Sequence, residues 1–457
     1  MAFDLCRADC GLDDPEALAA WNAMIVAFLA HSKSTPDHLA NVLDRSPDAA
    51  MPLAAKGLFC LMLGRAEMTE AARGAYSTAR AALTLGGAPA RARAWTDALG
   101  CWLDGAPSGA VFHLESVLSA TPEDTLTLKV VHGIRFILGD AGGMRRSVER
   151  ALAGHAPDHP LRGYAMGCHA FALEETGAYT EAEGAGRAGL ALCADDAWGL
   201  HAVAHVHDMT HRPGDGIALI DENRRAWDHC NNFRYHVWWH KALLHLDRGE
   251  HDLVLDLYDT QIRAEHSDDY RDVANASSLL MRLELEGVTC GDRWHELGDL
   301  AERRLSDGCL VFADLHYMLA LAGDHRPGAA ARLAARIGET GAPRTEHGRL
   351  YDHPGHAAAE GLAAFGEGQY AVAFERLRAA RAHLPTIGGS HAQRDVFERI
   401  TVDAGLRAGR LDDAEAILTE RTVLRDGHAD AFAETRRSAI DDARAGRPLY
   451  EAQRRSA

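Results

Sequence analysis

The sequence predicts an all-α fold, a solenoid of antiparallel helix pairs, and three observations carry that expectation. Runs alternating Val, Ile, Thr and aromatics, the signature of strands, are almost absent. Hydrophobic residues make up 47% of the 457 but aromatics only 7%, and Ala-rich stretches such as AALTLGGAPARARA and GHAAAEGLAA fill the difference. Ala has the highest helix propensity and lets two backbones approach closely. Glycines at candidate turns, Gly105, Gly139, Gly177, Gly214 and Gly249, follow one another at intervals of 34, 38, 37 and 35 residues, which is the self-similarity of a repeat array.

Taken in order, residues 1–120 hold degenerate N-terminal repeats, residues 121–265 the best-formed ones, and residues 266–457 longer, degenerate units. In the last third the turns at Gly323, Gly366 and Gly409 lie 43 residues apart. No Ser/Gly-rich or Pro-rich linker interrupts the chain, so one continuous helical-repeat domain spanning 1–457 is expected. FALEETGAYTEAEGAGRAGLALCADDAWGLHAVAHV has the helix–turn–helix grammar of a tetratricopeptide repeat, with small residues where helices cross and Gly177 at the turn. In such repeats, stacked as a right-handed superhelix, the first helix of each pair lines a concave surface or central pocket.

Composition excludes several function classes. With 48 basic and 66 acidic side chains the net charge is −18, a field that repels nucleic acid and anionic membrane surfaces. The nine cysteines form no CxxC pair, so neither a disulfide framework nor a zinc knuckle is expected. The opening MAFDLCRADCGLDD has no basic segment followed by an apolar core. A cytoplasmic protein with a small polar partner, and a possible homo-oligomer, is the resulting expectation. No HExxH, Walker A, GxSxG or GxGxxG string occurs.

Histidines carry the chemical signal. HAVAHVHDMTH (201–211) places four of them in eleven positions. On a helix His201 and His205 are i,i+4 neighbours on one face, whereas His207 points to another. YHVWWHKALLH supplies a second such pair, His236 and His240, one repeat later. An HxxxH face is a two-point platform for zinc, iron, copper or nickel; the alternative is incidental helix histidines held by packing. Two pairs on consecutive first helices favour a shared site, with Trp239 either packing or walling it.

Other residues join by position. His132 and His316 also precede turns on first helices. Glu175 ends a helix, where a carboxylate opposes the helix dipole, and so serves as a base, a ligand or a histidine partner. Asp314 and His316 in FADLHYM reach one site only if the helix starts near Asp314; otherwise Asp314 is a plain cap. In GGSHAQRDVF, Ser390 is a helix cap, Arg394 can fork onto an anionic group, and Arg394–Asp395 is equally readable as a structural ion pair.

Several strings together resemble the tetratricopeptide repeat protein 38 family: TPEDTLTLKVVH (121–132), DDAWGLHAVAHVHDM (195–209), HVWWHKALLHLDRGE (236–250), LYDTQI (257–262), SSLLMRLELEGV, FADLHYMLA (312–320) and GGSHAQRDVF (388–397). The likeness covers roughly residues 15–425. It implies that the family's polar positions fall on His132, Glu175, His201, His205, His207, His236, His240, Asp314, His316, Gln393, Arg394 and Asp395. His391 departs from the pattern, which more often has Asn there. The family implies a fold and a pocket more than a reaction.

The resulting expectation is an enzyme, a metal- or histidine-dependent hydrolase or lyase acting on a small polar, anionic substrate. Its metal ligands are His201, His205, His236 and His240, for zinc or iron. Glu175, His207, Asp314, His316 and Asp395 are the catalytic candidates, and His132, Trp239, Gln393 and Arg394 bind substrate. The rival is a non-catalytic scaffold gripping a peptide in its groove. Such grooves usually present Lys, Arg and Asn along their length, whereas here histidines and carboxylates concentrate in the middle repeats.

Overall fold

A computed structural model describes residues 3–341 and 344–448. Helices run from Pro15–Leu29 to Ala431–Arg444, neighbours in sequence packing as pairs, and no strand occurs among the described residues. The described cysteines are all free thiols, and no described helix is long and apolar enough to cross a membrane.

The pairs form two compact units. One comprises the chain up to Val206 with Ile220–Arg234 and Thr345–His347; the other comprises His207–Leu219, Tyr235–Arg344 and the chain from Gly348 onward.

In the first unit, the helices Arg162–Glu174 and Tyr179–Leu192 pack closely along small residues. A Cβ added to Gly163 would stand 2.9 Å from the carbonyl oxygen of Gly189, and one added to Gly189 would meet that of Gly163 at the same distance. Only glycine lets these backbones close so far. The turn joining them passes through Gly177 at φ 80°, a left-handed conformation that costs a side-chain-bearing residue about 1 kcal/mol or more. The turn expected at Gly214 is built differently. Gly214 lies inside the helix Pro213–Glu222, and His211 takes the left-handed position at φ 52°. Its Nδ1 lies 2.9 Å from Asp247 and its side chain is 42% exposed.

Buried ions anchor the site-bearing helices. Asp124 caps Thr125–Ile137 by accepting from the Thr127 amide, and also accepts from Arg91 at 2.7 Å. Arg91 reaches Asp4 as well, at 2.6 Å. Pairing inside the low-dielectric interior is what makes such a buried cation tolerable.

In the second unit, Trp239, Leu279, Leu315, Tyr317 and Phe397 belong to one buried apolar cluster. A capping box starts the helix His391–Arg407: Ser390 Oγ accepts from the Gln393 amide at 3.3 Å, and Gln393 Oε1 accepts from the Ser390 amide at 3.0 Å. Ser390 is thus the cap that was expected.

Candidate metal and substrate-binding residues

In the first unit, His201 and His205 lie one turn apart on Ala197–Met209, both buried, with ring centroids 4.3 Å apart. Their Nε2 atoms are 2.9 Å apart. The walls are aromatic: Phe171 stacks on His201 at 5.5 Å and meets His205 edge-on at 5.6 Å, and Trp198 lies 5.0 Å from His201. Behind His205, Oε2 of fully buried Glu174 lies 3.4 Å from Nδ1.

Two ring nitrogens this close cannot both present lone pairs to each other; a proton or a cation must lie between them. A carboxylate oxygen facing Nδ1 of His205 favours the tautomer with the proton on that nitrogen, leaving Nε2 as the donor atom. Nitrogens bound to one ion at about 2.0–2.1 Å stand about 2.9–3.4 Å apart for right-angled to tetrahedral geometry, and 2.9 Å fits that range. Glu174, Glu175 and His205 also form a group whose ligand atoms lie within 4.8 Å of one another. The sequence reading selected Glu175; Glu174, which it passed over, is the carboxylate beside the ring. The signal was available in part, since Glu174 follows Phe171 by three residues and shares its face.

His132 is buried and its Nε2 accepts from Trp198 Nε1 at 3.2 Å. Burial, assisted by nearby Lys129, holds its pKa well below the usual histidine range, so the ring is neutral at pH 7. An open cleft lined by Asn22, Ser32, Ser34, His38, Asp195 and His229 also belongs to this unit, but none of the histidines singled out in the sequence lines it.

In the second unit the same motif recurs on Phe233–Asp247. His236 and His240 face each other through Nε2 atoms 3.1 Å apart, and Trp239 stacks on His236 at 5.2 Å. On the neighbouring helix Tyr270–Leu285, Asn275 places Oδ1 2.9 Å from Nδ1 of His236. An amide oxygen accepts, so this contact again favours the proton on Nδ1 and leaves the lone pair on Nε2, which faces His240.

The remaining sequence-selected residues divide. His207 is buried against Gly216 of the next helix, off the His201–His205 face as its spacing requires. The helix Val311–Gly323 begins at Val311 with Leu310 as its N-cap, so Asp314 is not a cap, and the condition for joining Asp314 to His316 fails. Asp314 instead accepts from the Tyr351 hydroxyl at 2.6 Å and pairs with Arg336 at 2.5 Å. Buried His316 donates Nδ1–H to the Phe312 carbonyl at 2.7 Å. Burial, with the cation of Arg282 adding to it and that hydrogen bond opposing it, lowers its pKa to about 4.

Arg394 donates to the carbonyls of Gly388 and Gly389, which binds the loop down. Asp395 receives Arg399 at 2.7 Å and Arg421 at 2.5 Å. Burial alone would raise this carboxyl, but Arg421 and Arg399 hold it well below the carboxylate range. Asp395 therefore pairs, though not with Arg394. Gln393 is engaged in the capping box. No protein-family model matches the chain.

Proposed function

We propose that the protein is a metal-dependent hydrolase or lyase for a small polar, anionic substrate, built on helix pairs of the tetratricopeptide type and belonging to the tetratricopeptide repeat protein 38 family. The ligands assigned are His201 and His205 in the first unit and His236 and His240 in the second, each pair offering imidazole nitrogens suited to zinc or iron. The supporting observation is the repetition of one arrangement: an i,i+4 pair with converging Nε2 atoms, and an oxygen acceptor facing Nδ1 of one member, Glu174 in one case and Asn275 in the other. Incidental helix histidines have no reason to share that pattern. Glu174 and Asn275 orient their rings and make them better donors.

An ion held by such nitrogens supplies Lewis acidity, polarising a substrate carbonyl and favouring ionisation of water. Around it the chain's aromatic walls exclude bulk water, which strengthens every charge interaction there. Glu175, near His205 but only half-buried, is the carboxylate placed to accept a proton. Burial of His201, His205 and His240 favours a small molecule over a peptide laid along an open groove. Metal analysis of the purified protein, with His205→Ala and His240→Ala as controls, tests this reading. A metal-free protein refutes it.

A further inference from the structure

Apart from the histidines, the second unit buries a set of polar groups that its own structure leaves unsatisfied. Arg282, 1% exposed on Tyr270–Leu285, donates to the carbonyls of Ser278 at 3.1 Å and Ala392 at 2.6 Å. No carboxylate pairs with it among the described residues. Of the carboxylates that act on it, Asp395 is taken by Arg421 and Arg399, and Asp208 by Arg425. Burying a cation without a counter-charge is costly, and folded chains rarely do so without a use for it. The pKa of Arg282 falls to about 9, chiefly through burial, only partly offset by Asp395 and Asp208.

Two further buried groups beside it carry unsatisfied donors. Asn275 lies two helical turns before Arg282, on the same face. Its Oδ1 contacts His236, while its Nδ2 is buried with no partner among the described residues. The guanidinium lies over the Trp239 ring at 5.5 Å, and the Trp239 indole N–H is likewise buried and unpartnered. Trp239 in turn stacks on His236. Three donors, one of them charged, thus belong to one line of contacts that runs from Arg282 over Trp239 to His236, with Asn275 beside it.

We propose that Arg282, with Asn275 and Trp239, binds the carboxylate of a small substrate beside His236 and His240. A guanidinium presents parallel N–H groups that match the two oxygens of a carboxylate, and its bonds to two carbonyls leave further N–H groups unspent. The indole and amide are neutral, so the site balances a single negative charge. A carboxylate therefore fits better than a phosphate dianion. The inference rests on the function proposed above for its placement beside the histidines, and it moves the anion-binding role from Arg394 to Arg282.

The test is thermal unfolding of the full-length, metal-stripped protein at about pH 8 in rising sodium acetate, against sodium chloride at equal ionic strength. Acetate is expected to raise the midpoint along a saturating curve, as any molecule binding only the native state does. Arg282→Met should abolish the rise. Trp239→Phe, which keeps an aromatic ring but loses the indole N–H together with the pyrrole ring, should shift the curve several-fold to higher acetate and serves if Arg282→Met does not fold. An acetate response equal to that of chloride, matched by inorganic phosphate, or unchanged in Trp239→Phe and in a folded Arg282→Met, overturns the assignment. Because the metal is absent throughout, this outcome is independent of whether the histidines bind one.

Discussion

Nδ1 of His236 and Oδ1 of Asn275 lie 2.9 Å apart although 39 residues separate them in sequence. The contact favours the tautomer with the lone pair on Nε2, and so bears on what the pair His236–His240 can hold. Replacing Asn275 by Val removes the acceptor and frees the ring to rotate and change tautomer. Affinity for zinc, measured by competition with a chromogenic chelator, should fall about 10–100-fold. Asn275→Asp, which keeps an acceptor, should retain most of it.

Glu174 and Glu175 separate in the same assay. Glu174 sits behind the His205 ring, so Glu174→Gln, which removes the negative charge at nearly constant volume, should weaken zinc binding about 10-fold. Glu175→Gln should change it by no more than about 2-fold while lowering turnover, once a substrate is known, by about 10²-fold or more.

Arg421 joins Asp395 to Asp430, with Nη1 donating to Asp430 at 2.7 Å and Nε to Asp395 at 2.5 Å. Arg421→Met leaves two buried carboxylates with Arg399 alone. Breaking buried pairs of this kind costs about 3–5 kcal/mol, which chemical denaturation should show as a lower midpoint. Zinc affinity of the folded variant should stay near the wild-type value. A stable Arg421→Met protein would return Asp395 to the list of free carboxylates.

His155, 5% exposed between the helices Ala141–Gly154 and Arg162–Glu174, has its pKa lowered to about 4 by burial and by its neighbours His159 and Arg162. Between that value and the unfolded one near about 6.5, the unfolded chain binds the proton and the native chain does not. Stability therefore falls with falling pH across this window, by up to about 3 kcal/mol from this group. Denaturation curves of wild type and His155→Asn at several pH values should show a shallower slope for the variant between about pH 6.5 and 4.

The sequence revealed the helical class, the turns at Gly105, Gly139, Gly177 and Gly249 and the faces of both histidine pairs, because these depend on neighbours within a few residues. It did not reveal Glu174, Asn275 or Arg282 as partners of the site, since single polar residues in a helix carry no motif and their roles arise from contacts with another helix. GGSHAQRDVF misled for the converse reason. Its Arg394 and Asp395 look available locally, but the first binds its own loop and the second is taken by Arg421, 26 residues later. Asp314 was misjudged by a shift of helix start: a cap at Leu310 instead of 314 turns it from a terminus into the partner of Tyr351.

The central claim is that the HxxxH pairs hold a metal, and plasma mass spectrometry of the purified protein tests it most directly. The account predicts zinc or iron at a whole-number ratio to the chain, falling in His205→Ala and in His240→Ala while both variants remain helical by circular dichroism. Protein that is free of transition metal after purification, and stays so after incubation with zinc or ferrous iron and desalting, would contradict it.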